Sequence, residues 1–149
     1  MQIILPKPIA FIERNKRLYR RFTRFEGLIV ELQSRDIPED IIIEINNWIK
    51  KLNYAKETPR DFKKQLRISQ REILNLLEKK ISLIPTNHNF NKYTGIGIVL
   101  GIVLGTVFHN MSMSGLWLPM GLIFGMAYGN RLDKKAIEGD KVLDFELKY

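Results

Sequence analysis

The hydrophobic pattern of the chain changes character at Tyr93. Before it, apolar residues recur at helical spacing among charged ones; from Tyr93 to Asn130, a stretch of 38 residues, there is no Asp, Glu, Lys or Arg. In the first part Phe11, Leu18, Phe22, Phe25, Ile29 and Leu32 make one stripe of an amphipathic helix, predicted from about Pro8 to Ser34. A second helix is predicted with Asp36 as its N-cap. Pro38, Glu39 and Asp40 then fall in the first turn, where the helix dipole favours acids, and Ile41, Ile45, Trp48 and Leu52 form the inner stripe. Thr58, Pro59, Arg60 and Asp61 read as a third start, a variant of the capping box with proline at the first helical position. Phe62, Leu66, Ile73, Leu77 and Ile81 continue it as a long apolar stripe. The first and third helices are long enough to pair, with the second covering them, so residues 1–92 are expected to form a three-helix domain. Pro85 to Asn91 reads as a breaker and a hinge.

The uncharged stretch carries Gly97, Gly101 and Gly105, then Gly121, Gly125 and Gly129, which is GxxxGxxxG written twice. Glycine at every fourth position opens a smooth groove along one helix face, and in lipid this is how two helix backbones approach closely. One membrane span needs about 20 apolar residues; 38 interrupted by His109 to Gly115 fits a hairpin better. Helices are predicted from Tyr93 to Phe108 and from Gly115 to Asn130, each roughly 24 Å long at about 1.5 Å per residue. Pro119 is assigned to the first turn of the second helix, and Tyr93, Trp117 and Tyr128 to interfacial aromatic belts. A soluble hairpin is the competing reading, but so many glycines are poor helix formers in water. Cations flank both spans and none sits in the connecting loop, so both termini are expected in the cytoplasm, with residues 131–149 as a cytoplasmic tail. In that tail Leu143, Phe145, Leu147 and Tyr149 alternate with polar residues as a strand would, and Met1 to Leu5 is its predicted partner. Met1 to Leu5 is also too short for the apolar core of a secretory signal.

Charge sharpens this picture. Residues 1–92 hold 19 Lys and Arg against 11 Asp and Glu, whereas residues 131–149 hold 5 of each, so the net charge of +8 belongs to the N-terminal part. Arg14, Lys16, Arg17, Arg20, Arg21 and Arg24 cover much of the first helix's outer surface. Such a face fits plain solvation or anionic lipid headgroups, each cation near a bilayer contributing about 1 kcal/mol. Nucleic acid fits less well, since no aromatics are interleaved for base stacking. There is no cysteine, so neither disulfides nor thiolate metal sites arise. His88 and His109 are the two histidines, neither with a carboxylate or second histidine at ligand spacing, and no phosphate-binding or nucleophile motif occurs. No catalytic, cofactor-binding or metal-ligating residue is therefore predicted, and the chain is read as no enzyme.

Taken together, IERNKRLYRRF near the start, the glycine-rich middle and RLDKKA after it resemble small bacterial glycine-zipper membrane proteins. The resemblance implies a basic helical segment followed by a two-helix membrane hairpin ending in a D-K-K-A-type motif, here Asp133 to Ala136. The chain departs from the most glycine-rich members at His109 to Ser114, and the resemblance brings no activity with it. The expectation is an all-α protein of the bacterial cytoplasmic membrane, self-associating through its glycine faces as an oligomer or pore. The alternative is a membrane-anchored module whose basic helices recruit nucleic acid, a nucleotide signal or a protein.

Overall fold

The computed structural model describes residues 2–8, 12, 15–55, 58–107 and 114–146. Among these it is all-α, with helices α1 (Lys16–Gln33), α2 (Glu39–Tyr54), α3 (Pro59–Ile81), α4 (His88–Val107) and α5 (Ser114–Glu138), and short strands β1 (Ile84–Thr86) and β2 (Val142–Glu146). The chain divides into two compact units. One holds residues up to Ile84 together with Leu143–Phe145, and the other holds Pro85–Val142 with the last residues.

In the first unit local chemistry sets most helix ends. Asn15 caps α1, its side chain accepting from the amides of Arg17 and Leu18 at 3.1 and 3.2 Å. The helix predicted from Pro8 is thus described only from Lys16; Phe11 and Arg14 lie outside the described residues. Thr58 caps α3, accepting from the Asp61 amide at 3.1 Å while its hydroxyl donates to the Asp61 carboxylate at 2.6 Å. The expectation for α2 needs correcting. Pro38, not Asp36, occupies its N-cap position and supplies no side-chain bond; Glu39 and Asp40 do lie in the first turn.

Three amphipathic faces meet in the core. Phe25, Ile29 and Leu32 of α1, Ile45, Ile49 and Leu52 of α2, and Phe62, Ile73 and Leu77 of α3 are fully buried. Phe22 and Phe62 bring α1 and α3 together with ring centroids 6.1 Å apart. Ser69, also fully buried, donates to the Trp48 carbonyl at 3.2 Å, so a small residue joins α3 to α2. Ile49 takes the inward position expected of Trp48, which is half-buried and lies under the Lys51 ammonium, 4.1 Å from its centroid. Lys80 bridges the exposed Asp40 and Glu44 carboxylates at 3.0 and 3.6 Å. The Lys80 bond holds the Asp40 carboxyl below its usual range, and Asp40 raises the ammonium.

Helix α3 ends on Ser82 in the left-handed region, with φ 56°, and the Leu83 amide returns to the Leu77 carbonyl at 3.2 Å. A side chain is strained there and glycine is not. Ser82→Gly is expected to stabilise the fold by about 1 kcal/mol, read as a higher midpoint in denaturant unfolding followed by helical circular dichroism.

The C-terminal strand exists, but its neighbour is β1 and not the N-terminus. Leu143 and Phe145 are buried, and the Asp144 amide donates to the Glu31 carboxylate at 2.8 Å. Pro85 to Asn91 is not a continuous breaker: Ile84–Thr86 is strand, Asn87 turns at φ 57°, and α4 begins at His88. Pro119 lies inside α5, beyond the first turn to which it was assigned.

Candidate functional site: a glycine-lined helix contact

Helices α4 and α5 run antiparallel, and glycines set how closely they approach. A methyl carbon built on Gly97 would strike the carbonyl oxygen of Gly121; one on Gly121 would strike that of Gly97. On Gly101 it would lie 2.7 Å from the Trp117 oxygen, on Gly129 2.7 Å from the Asn89 oxygen, and on Gly125 it would strike the Tyr93 oxygen. In each pairing, 97 with 121, 101 with 117, 93 with 125 and 89 with 129, the residue numbers add to 218, the signature of one continuous antiparallel register. Gly105, on the same helix, is half-buried.

Among the described residues this contact fully buries no large apolar side chain. Gly97 and Gly101 are the buried residues of α4, and Gly125 and Gly129 are buried in α5. Many of the large apolar side chains point the other way, while Ile98, Trp117, Leu122 and Met126 are half-buried. Val99, Val107, Ile123 and Phe124 are 59, 68, 59 and 68% exposed, and Leu100, Ile102, Val103, Leu116 and Leu118 are exposed beside them. In the first unit the opposite holds, with the bulky residues inside and the charges outside. Tyr93 and Tyr128 meet edge to face, their ring centroids 4.8 Å apart. Helix α4 is long and apolar enough to cross a membrane by length and composition. Helix α5 continues from its uncharged part through Arg131, Lys134 and Lys135 to Glu138.

One polar group completes the contact. Asp133, 7% exposed, accepts from the amides of Asn89 at 3.0 Å and Phe90 at 2.9 Å, one through each carboxylate oxygen. It therefore caps α4 from α5, satisfying two of the four amides that a helix start leaves open and placing a negative charge at the positive end of the dipole. Its neighbours Lys134 and Lys135 are exposed. The sequence reading placed Asp133 in a motif without giving it a role. The signal was the register itself: one turn beyond the 89–129 pairing, position 133 comes level with the start of α4.

The predicted basic surface lies on another element, α1. Lys16, Arg17, Arg20 and Arg24 are exposed and Arg21 is half-buried, and among the described residues none of the five forms an ion pair. Among the described residues no three His, Asp or Glu side chains come close enough together to hold a metal ion. No known protein family, curated protein or solved structure matches the chain.

Proposed function

We propose that this chain is a non-enzymatic integral membrane protein of the bacterial cytoplasmic membrane. Helices α4 and α5 are its bilayer-inserted hairpin, both chain ends are cytoplasmic, and copies associate through the apolar outer faces of their hairpins. The observation that carries this reading is the burial pattern: backbone and glycine inside, Val99, Ile102, Val103, Ile123 and Phe124 outside. In water that arrangement leaves the hydrophobic effect unused, and exposed apolar patches this continuous mark contact with lipid or protein. In lipid it is the favourable solution, because packing and close backbone contact hold helices together there.

The polar groups fit the same reading. A bilayer does not hydrate open helix ends, and Asp133 answers the first amides of α4 from within the hairpin. Thr106 donates to the Val103 carbonyl of its own helix at 2.7 Å. Residues 114–130 of α5 measure about 25 Å, a little short of the ~30 Å hydrocarbon core; the exposed Arg131, Lys134 and Lys135 reach headgroups from that depth. The exposed cations Lys16, Arg17, Arg20 and Arg24 of α1 give the first unit an attraction to anionic headgroups. Because the glycine faces are occupied within one hairpin, association between copies falls to the aliphatic outer faces. These offer no charged ring for a selectivity filter.

The absence of cysteine in the native chain makes a clean test. In sealed cells, Tyr54→Cys and Ile137→Cys are expected to resist a membrane-impermeant maleimide until the cytoplasmic side is opened. Ser112→Cys reacts from outside, and Phe124→Cys reacts from neither side. Free labelling of Phe124→Cys in intact protein sinks the membrane reading. A monomeric mass in nanodiscs sinks the association alone.

A further inference from the structure

Phe22, early in α1, meets Phe62 at the start of α3, while Lys80 at the end of α3 bridges Asp40 at the start of α2. The start of α1, the end of α2 and the start of α3 therefore share one end of the first unit's bundle. Charge divides along the same axis. Residues 16–24 of α1 hold five Lys and Arg and no acid, 47–54 of α2 hold two and no acid, and 59–67 of α3 hold four with Asp61 as the one acid. In the remaining halves of these helices seven Asp and Glu stand against three cations. Eleven cations thus crowd one end: all but the half-buried Arg21 are exposed, and among the described residues none of them forms an ion pair. At the other end Arg71 and Lys80 do.

We propose that this basic end is a second attachment to the membrane, docking on the phosphates of anionic lipid headgroups and releasing where the lipid carries no net charge. The attachment rests on the membrane reading above, which supplies the bilayer. The chain passes between the two units at the opposite end of the bundle: Ile84 follows the end of α3, and the Asp144 amide binds Glu31 late in α1. Pro85, Thr86 and Asn87 alone separate Ile84 from α4, roughly 10 Å of extended chain. Helix α3, with 23 residues, is roughly 34 Å long. The basic end is thus the free end of a short tethered bundle, within about 45 Å of the start of α4.

Charge and tether together select the occupant. Like charges gathered at one end repel one another, and a polyanionic surface relieves that repulsion. An anionic bilayer holds such a surface permanently within reach of the tether, so docking is intramolecular and needs no free partner. The uncharged side chains among the cations fit a headgroup layer. Tyr19 and Tyr54, 51 and 84% exposed, have the amphipathic rings that settle at a membrane interface. Nucleic acid is the other abundant polyanion, and single strands of it stack bases on open ring faces. The largest ring at this end, that of Trp48, is half-buried and already covered by the Lys51 ammonium.

The test uses the full-length chain with one cysteine carrying an environment-sensitive dye, at the basic end in Tyr19→Cys or at the other end in Ile43→Cys. Each is placed in nanodiscs of phosphatidylcholine alone or mixed equally with phosphatidylglycerol. The dye at 19 is expected to brighten and shift to the blue in the mixed discs only, and to lose that change near 1 M salt, where the Debye length is about 3 Å. The dye at 43 is expected to stay unchanged throughout. Adding R20Q and R24Q, both at exposed positions, should lower the docked-to-free ratio roughly 30-fold, about fivefold for each cation removed. Silence at 19 in both discs, or an equal response at 19 and 43, overturns the proposal and leaves the inserted hairpin standing, since the chain enters either disc. A dye at 19 that answers duplex DNA and not phosphatidylglycerol assigns the end to nucleic acid and overturns it too. A chain that enters neither disc sinks the membrane reading, and the docking with it.

Discussion

Gly97→Ala is expected to loosen or open the hairpin, whereas Gly95→Ala, two residues away on the same helix, is expected to strengthen it. The two substitutions add the same methyl group and the same gain in helix propensity, about 1 kcal/mol. They differ in what the methyl meets. At Gly95 there is nothing within 4 Å, so the propensity gain stands alone. At Gly97 the methyl meets the Gly121 carbonyl oxygen, with the Gly121 carbon at 3.0 Å and the Gly125 Cα at 3.1 Å. All three are backbone atoms, so no side-chain rotation relieves the clash and the helices must separate along their length. Overpacking of this kind costs about 1–3 kcal/mol, occasionally more, and lost contacts at 101, 125 and 129 add to it. Gly121→Ala is expected to behave like Gly97→Ala, since each glycine faces the other. Denaturation of the hairpin in detergent, followed by helical circular dichroism, separates the outcomes by sign. If both Ala variants at 95 and 97 move the midpoint the same way, glycine at 97 serves only the local helix and the close contact is not what holds α4 to α5.

The close approach at Gly97, Gly101, Gly121, Gly125 and Gly129 is legible in the sequence because the period is fixed by the helix and the composition is unusual. Two runs at four-residue spacing cannot be read as anything but two smooth faces. The caps at Thr58 and the acids at Glu39 and Asp40 were legible for a similar reason: their partners lie within three or four residues, so sequence distance and spatial distance coincide. The phase of α2 was harder. Ile41, Ile42 and Ile43 are consecutive, so two stripes fit equally, one through Trp48 and one through Ile49. Packing in the core of the first unit selected Ile49 and left Trp48 half outside. Asp36 was misread because a good capping residue two places before Pro38 is a strong local cue, yet the chain enters the helix through the proline itself.

The remaining misses depend on contacts distant in sequence. The run Asn87 to Asn91 has the composition of a loop, and Asn46 and Asn53 look like polar interruptions of an apolar helix. In the structure each has a hydrogen-bond partner more than 40 positions away: the Asn89 and Phe90 amides the Asp133 carboxylate, the Asn46 side chain the Ile4 amide, the Asn53 side chain the Lys7 amide. Tertiary context overrides weak local propensity in the first case and explains a buried amide in the second. The basic face of α1 was readable as a face. What it rests against is a property of the partner, so periodicity alone gave three candidate surroundings and no choice among them.

Asp133→Leu is the substitution expected to show how far that override reaches. The carboxylate accepts two backbone amides, and hydrogen bonds to a charged group contribute about 1.5–3 kcal/mol each in the favourable range. Leucine leaves the Asn89 and Phe90 amides open at a half-buried helix start and removes the negative charge from the positive end of the dipole. The first turn of α4 is asparagine-rich and has little propensity of its own, so it is expected to unravel toward Tyr93, the start that composition alone suggests. Hydrogen exchange at Asn89, Phe90 and Asn91 should then accelerate strongly, while exchange near Gly101 stays slow because the glycine contact there is untouched. Asp133→Asn should fall between, since one amide oxygen replaces two carboxylate oxygens and the dipole loses its counter-charge. Lys134→Leu, a change of similar size at an exposed neighbour, is expected to leave the same amides protected. Full protection of Asn89 and Phe90 in Asp133→Leu would mean that helix α4 holds its own start, and the cross-helix cap would then be a consequence of hairpin packing with no part in maintaining it.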